Sequence, residues 1–187
     1  MKGQIFETPK NLNYFSGYYD RKIVNNNKII LHQLSNDQLY NNDGDIKLKV
    51  FDIKTKQEIY FTNSNCWNWQ MGCNASWFKN LICFNFYNHN KICSKFISLN
   101  DNNSFYFEEP IYNIYEKFIV SINYYNISSL RKSYGYNLPI MNNNLSPYIK
   151  VFNEKLKIIN HITLSLIEDC LKLRIENSII EHPFLDL

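Results

Sequence analysis

The residues best suited to chemistry in this chain are aromatics set beside polar groups. Tyr19 adjoins Asp20, Trp69 adjoins Gln70, and Arg131 precedes Tyr136 by one short loop. Such combinations suit sugar binding, because a ring face packs on the apolar face of a pyranose while amides and carboxylates bond its hydroxyls. The competing role is structural: Trp67, Trp69 and Trp77 would pack between elements, and Asp20 and Gln70 would tie up loop amides.

Other chemistries find less material. No Gly-x-Ser-x-Gly, phosphate-loop or His-Glu-x-x-His pattern occurs, which leaves nucleophilic, nucleotide-dependent and zinc-hydrolase mechanisms without sequence support. His32, His89, His161 and His182 are scattered, so neither a metal centre nor a cofactor is expected. Asp20, Glu108, Glu109 and Glu168 supply carboxylates, yet nothing pairs two of them across a site as glycoside hydrolysis requires. Glu108 and Glu109 precede Pro110 and read as a solvated strand end. The five cysteines, Cys66, Cys73, Cys83, Cys93 and Cys170, are odd in number and include no Cys-x-x-Cys pair, which argues against a zinc ribbon or a disulfide framework. Cys83 and Cys93 lie in apolar runs and are expected to be reduced, structural thiols.

The chain that must position these groups has 187 residues, of which 45% are hydrophobic and 16% aromatic, enough for a packed core. A formal charge of +3 lacks the strongly basic footprint of non-specific nucleic-acid binding. No apolar run of about 18 residues is present, so no membrane span is expected. Residues 1–10 contain no secretory apolar stretch, which makes a cytoplasmic location the expectation. Asn is in excess, with 29 residues, alongside abundant Lys, Ile, Tyr and Phe and a single Ala, Ala75. These abundant types share AT-rich codons, and the Asn-rich spots at 25–27 and 142–144 read as loops between dense apolar runs. Without an export signal, the Asn-x-Ser triplets at Asn74, Asn102, Asn126 and Asn144 carry no weight as glycosylation sites.

Strand signals run from residue 28 to 162. Ile46-Lys47-Leu48-Lys49-Val50 alternates apolar and basic residues with the period of a strand buried on one face. It lies between an earlier apolar run at 28–31 and a later strand at 57–62, with turn formers on either side. The same succession recurs at 81–86, 91–98 and 104–107. It recurs again at 111–114, 117–122, 148–152 and 156–160, interrupted by a long insertion. The repeat is about 45 residues, in the range of four-stranded propeller blades. The expected fold is all-β: a partial β-propeller of about three four-stranded antiparallel blades. The expected repeats cover roughly 14–65, 66–109 and 110–165, followed by a tail over 165–187. Ser165 and Glu168 have capping-box spacing, and Leu164, Ile167, Leu171 and Ile175 fall at helical intervals, so a short C-terminal helix is predicted over roughly 165–175.

Three spaced motifs resemble those of a family. Gly17-Tyr18-Tyr19-Asp20, Cys66-Trp67-Asn68-Trp69-Gln70-Met71-Gly72 and Ser133-Tyr134-Gly135-Tyr136 are similar to motifs of a bacterial WD40-like β-propeller family associated with surface-polysaccharide loci. Its fold is related to the oligogalacturonate lyase and TolB-type propellers. The resemblance covers most of residues 14–165. It departs at Met71, where the family has a second Gln, at Ala75-Ser76-Trp77 and at Lys132-Ser133. In such a propeller the loops before each inner strand line a central mouth. The resemblance therefore implies one pocket made of Tyr19, Asp20, Trp69, Gln70, Arg131 and Tyr136. It also implies six or seven blades in a full ring, so the chain is expected to be truncated and to need self-association or a complementing fragment. His182 then reads as an exposed remnant of the next blade. The leading expectation is a non-catalytic protein that binds a carbohydrate or a glycan-biosynthesis protein. A glycan-active enzyme, lyase-like or a transferase, and a truncated product without independent function are the alternatives.

Overall fold

A computed structural model describes residues 6–39, 44–89, 91–125, 136, 149–163, 165–166 and 169–170. The alternation noted above decides how β4 (Ile46–Asp52) is laid down. Ile46, Leu48 and Val50 are buried, Lys47 is exposed, and Lys49 reaches out to pair with Glu58 at 2.6 Å. β4 lies between β3 (Lys28–Leu34) and β5 (Glu58–Ser64), all antiparallel. The short strands β1 (Asn13–Phe15) and β2 (Val24–Asn25) both pair with β3, completing a five-stranded sheet.

The second sheet reads differently because its central strands are covered on both faces. It comprises β6 (Ser76–Phe78), β7 (Leu81–Asn88), β8 (Lys91–Ser98) and β9 (Ser104–Phe107), paired in chain order. Ile82, Cys83 and Phe84 are consecutive and all buried, the continuous apolar run of a strand covered on both sides. Ile82, Phe84 and Ile97 pack with Ile30, Ile46, Leu48 and Val50 of the first sheet. The opposite face, with Cys83, Phe96 and Phe107, packs on Ile119 and Phe152 of the third sheet. That sheet is formed by β10 (Asn113–Tyr115), β11 (Phe118–Ile122), β12 (Ile149–Phe152) and β13 (Ile158–Ile162), again in chain order. The all-β, antiparallel expectation is therefore met, as three stacked sheets of four or five strands. The helix expected over 165–175 falls mostly outside the described residues, and the four described within it, 165–166 and 169–170, are helical.

Asn has a backbone role here. Among the described residues, five of the ten non-glycine residues with positive φ are Asn: Asn11, Asn26, Asn27, Asn74 and Asn102. Asn enters the left-handed region more readily than other side-chain-bearing residues, and the chain has only five Gly to offer. Asn26 and Asn27, at φ 45° and 63°, form the two-residue turn joining β2 to β3, where both positions of a twist-matched hairpin require positive φ.

The first strands of each sheet, β1–β2, β6 and β10, are short, and direct bonds join the segments beside them. Trp77 N–H donates to the Lys22 carbonyl at 2.8 Å, tying the second sheet to the first. Between the second and third sheets the tie is an amide. Asn85, fully buried on β7, donates to the Ile111 carbonyl at 2.8 Å and accepts from Ile111 N–H at 2.8 Å and from the Ser94 hydroxyl at 2.9 Å. Asn74 adds bonds from its amide to the carbonyls of Ile111 and Tyr112.

Candidate binding site

Two of the sequence motifs meet in space, and their glycines are the reason. Gly17 has φ 81°, and a Cβ there would lie 2.7 Å from the Met71 carbonyl oxygen. Gly72 has φ 61°, and a Cβ there would overlap the His32 imidazole. The loop after β1 therefore rests on the Trp-rich loop before β6, and only glycine allows both approaches.

The Trp-rich loop is a tight turn built by one asparagine. Asn68 and Gly72 exchange backbone bonds at 3.2 and 2.8 Å, while Asn68 Oδ1 accepts from the N–H groups of Gln70 and Met71 at 3.0 and 2.7 Å. Trp69 and Gln70 are thrust outward at its tip, and Met71 turns inward. The three tryptophans consequently differ in role. Trp67 is buried and donates its indole N–H to the Gly44 carbonyl at 2.8 Å; Trp77 is buried and donates to the Ile23 carbonyl at 2.9 Å. Trp69 is 46% exposed.

On the facing loop, Tyr19 is 96% exposed. Asp20 Oδ2 accepts from Asn113 Nδ2 at 3.3 Å, which links the first sheet's loop to β10. Arg21 turns inward, its side chain 2% exposed, with its guanidinium carbon 5.4 Å from the centroid of the Tyr112 ring. Tyr136 stands apart from the exposed group. It is buried, stacks at a tilt on Tyr124 with centroids 4.8 Å apart, and accepts from Asn85 Nδ2 at 3.0 Å. Burial pushes both phenols well up from their ordinary range. Tyr18 and Met71, chain neighbours of Tyr19 and Gln70, belong to the same apolar cluster as Tyr124 and Tyr136. Arg131 lies outside the described residues. The structure thus sets Tyr19 and Asp20 on one loop and Trp69 and Gln70 on the loop it touches, with Tyr136 within the supporting core.

Sequence reading missed Arg21, Tyr112 and Asn113. Their association joins positions about ninety residues apart, and the one local signal was a basic residue following Asp20 in a motif otherwise free of cations. It also missed a buried Cys–His pair. Cys73 Sγ lies 3.3 Å from His32 Nε2, and the Cys73 backbone N–H donates to the same nitrogen at 3.2 Å. Burial holds the imidazole down at about 4 and pushes the thiol up, so the pair is neutral and closed to solvent. A nucleophilic cysteine needs the reverse, a stabilised thiolate within reach of substrate.

Among the described residues, no group of three or more His, Cys, Asp or Glu is placed to hold a metal ion. A separate open groove of about 440 Å³ at one end of the first sheet is lined by Gln33, Asp37, Asp45 and Lys47, and contains none of the expected site residues. Among the described residues, no helix is long and apolar enough to cross a membrane. No protein-family model matches the chain, and neither a curated protein nor a solved structure does.

Proposed function

We propose that this chain is a non-catalytic binding protein that takes a carbohydrate on the rim formed by the Tyr19–Asp20 and Trp69–Gln70 loops. The observation that carries this reading is the contact of those two loops where Gly17 meets the Met71 carbonyl, with an exposed aromatic and a polar neighbour on each. Exposed rings beside amide and carboxylate groups offer a stacking surface and hydroxyl partners together. The three stacked sheets are, in this reading, successive blades of a β-propeller whose inner edges border the rim. Support comes from pairing in chain order within each sheet and from face-to-face packing of neighbouring sheets. A further blade, from a second copy or a complementing fragment, would sit on the outer face of the third sheet, where Tyr115, Val120 and Val151 alternate with the inward Ile119 and Phe152. The setting proposed with it is cytoplasmic surface-polysaccharide biosynthesis.

The test is calorimetry after a glycan-array screen, using Tyr19→Ala and Trp69→Ala. Each truncation is expected to weaken binding by about 1–3 kcal/mol while leaving the circular dichroism spectrum unchanged, as removal of a stacked ring does at a binding surface. Unaltered binding by both folded variants would remove the rim from the proposal.

A further inference from the structure

The stack of three sheets ends differently on its two sides. On the outer face of the first sheet Ile29, Leu31 and Phe51 are buried, and the rings of Phe6 and Tyr14 each lie 5.7 Å from that of Phe51, centroid to centroid. The chain itself covers that end. On the third sheet, pairing sets Asn113, Val120, Val151 and Asn160 in one row across all four strands, with Tyr115 and Phe118 in the next row of the same outer face. Tyr115 is 69% exposed, while Phe118, Val120 and Val151 are half-buried and, among the described residues, join none of the four apolar clusters. The helical residues after β13 do not supply a cover, for Leu166 is itself 50% exposed.

The row also indicates what fits it. It is uncharged, whereas the matching face of the first sheet carries Lys47 and Lys49; the cation beside it, Lys117, belongs to the β10–β11 turn and lies over the Phe118 ring at 5.7 Å. It is also symmetric, reading Asn, Val, Val, Asn. Turned over about a two-fold axis in the plane of contact, the row sets valine on valine and asparagine on asparagine, and an amide, being donor and acceptor at once, can bond its own copy. Four strands about 4.8 Å apart give two such faces on the order of 1,000 Å² of buried surface, the lower bound of a specific interface. We propose that the outer face of the third sheet is a two-fold dimer contact, packed face to face on the same sheet of a second copy. This commits the face to one occupant and does not depend on the carbohydrate reading.

Sedimentation velocity of the full chain from about 1 to 200 µM is expected to show one reversible step from 22.4 kDa to twice that mass, with the micromolar midpoint of a small interface. Val120→Lys combined with Val151→Lys is expected to weaken dimerisation about a hundredfold or more, because it buries unpaired like charges. The geometry is read with one cysteine. In a Cys170→Ser background, where the remaining thiols are buried, Val151→Cys should couple two copies through a short bismaleimide and Phe61→Cys on the first sheet should not. That readout holds even if the lysine variant fails to fold. A parent chain that stays monomeric at the highest concentration overturns the proposal. So does growth beyond the dimer, or a dimer that Val151→Cys leaves uncoupled, the mark of head-to-tail contact between third and first sheets. Tyr19→Ala should dimerise as the parent does, so failure here leaves the ligand rim standing.

Discussion

The two junctions between sheets are built on different physics. Between the first and second sheets the contact is dominated by aliphatic and aromatic side chains, Ile30, Leu48 and Val50 against Ile82 and Phe84, with the neutral His32 imidazole close to Cys73. Between the second and third, apolar packing of Phe96, Phe107, Ile119 and Phe152 is supplemented by buried amides of Asn85 and Asn74 aimed at one peptide unit, Ile111. Apolar contact is non-directional and rewards burial at many offsets, whereas an amide with several bonds defines one position. The second junction is therefore the one aligned chiefly by a single amide, Asn85, whereas the first spreads its directional bonds over Ser64, Asn65 and Trp77, and the second leads directly into β10 and the Tyr112–Asn113 side of the rim.

Removing that single amide should have the largest effect. Asn85→Ala removes four bonds, to Ile111 N–H and C=O and to the Ser94 and Tyr136 hydroxyls, and is expected to cost about 4 kcal/mol in urea unfolding, at about 1 kcal/mol for each bond lost. A loss under about 1 kcal/mol would mean that water replaces the amide and that the two junctions are alike. Ile82→Ala attacks the apolar junction instead, and an expected loss of about 3 kcal/mol reflects a cavity in a close-packed core. The junctions should also part company in acid. His32 has a folded value of about 4 against 6.5 for the free side chain, so the unfolded chain binds the extra proton between those values. The neutral ring's contribution is complete above about pH 6.5 and is lost as pH falls towards 4. Going from pH 7 to pH 5 should cost about 2 kcal/mol. His32→Gln should flatten that slope relative to the parent chain, and an equal slope in both would place the acid sensitivity elsewhere.

How far the sequence anticipates this depends on side-chain rhythm. β4 announces itself by alternation, and β7 by the unbroken apolar run at its start, because burial on one face or two leaves a direct imprint on composition. β1, β2 and β6 leave little imprint: they are two or three residues long and exist because neighbouring edges pair with them. The site was legible to a similar degree. That aromatic and polar residues cluster at 17–20 and 67–72 is visible in the sequence. That Trp67 goes in while Trp69 stays out is not, since residues two apart on a strand share a face. The Asx turn at Asn68 breaks that rule, and its outcome depends on Gly72 packing against a histidine forty residues earlier.

A sheet enclosed on both faces cannot come apart privately. β7 and β8 lend one surface to each junction, so separating either pair of sheets wets strands that the other junction still needs. Their amide protons can then exchange only when the whole stack opens, and those of the exposed edge strand β13 exchange by local fraying. The central hairpin thus sets the lifetime of the folded state, although the residues exposed to a ligand lie outside it.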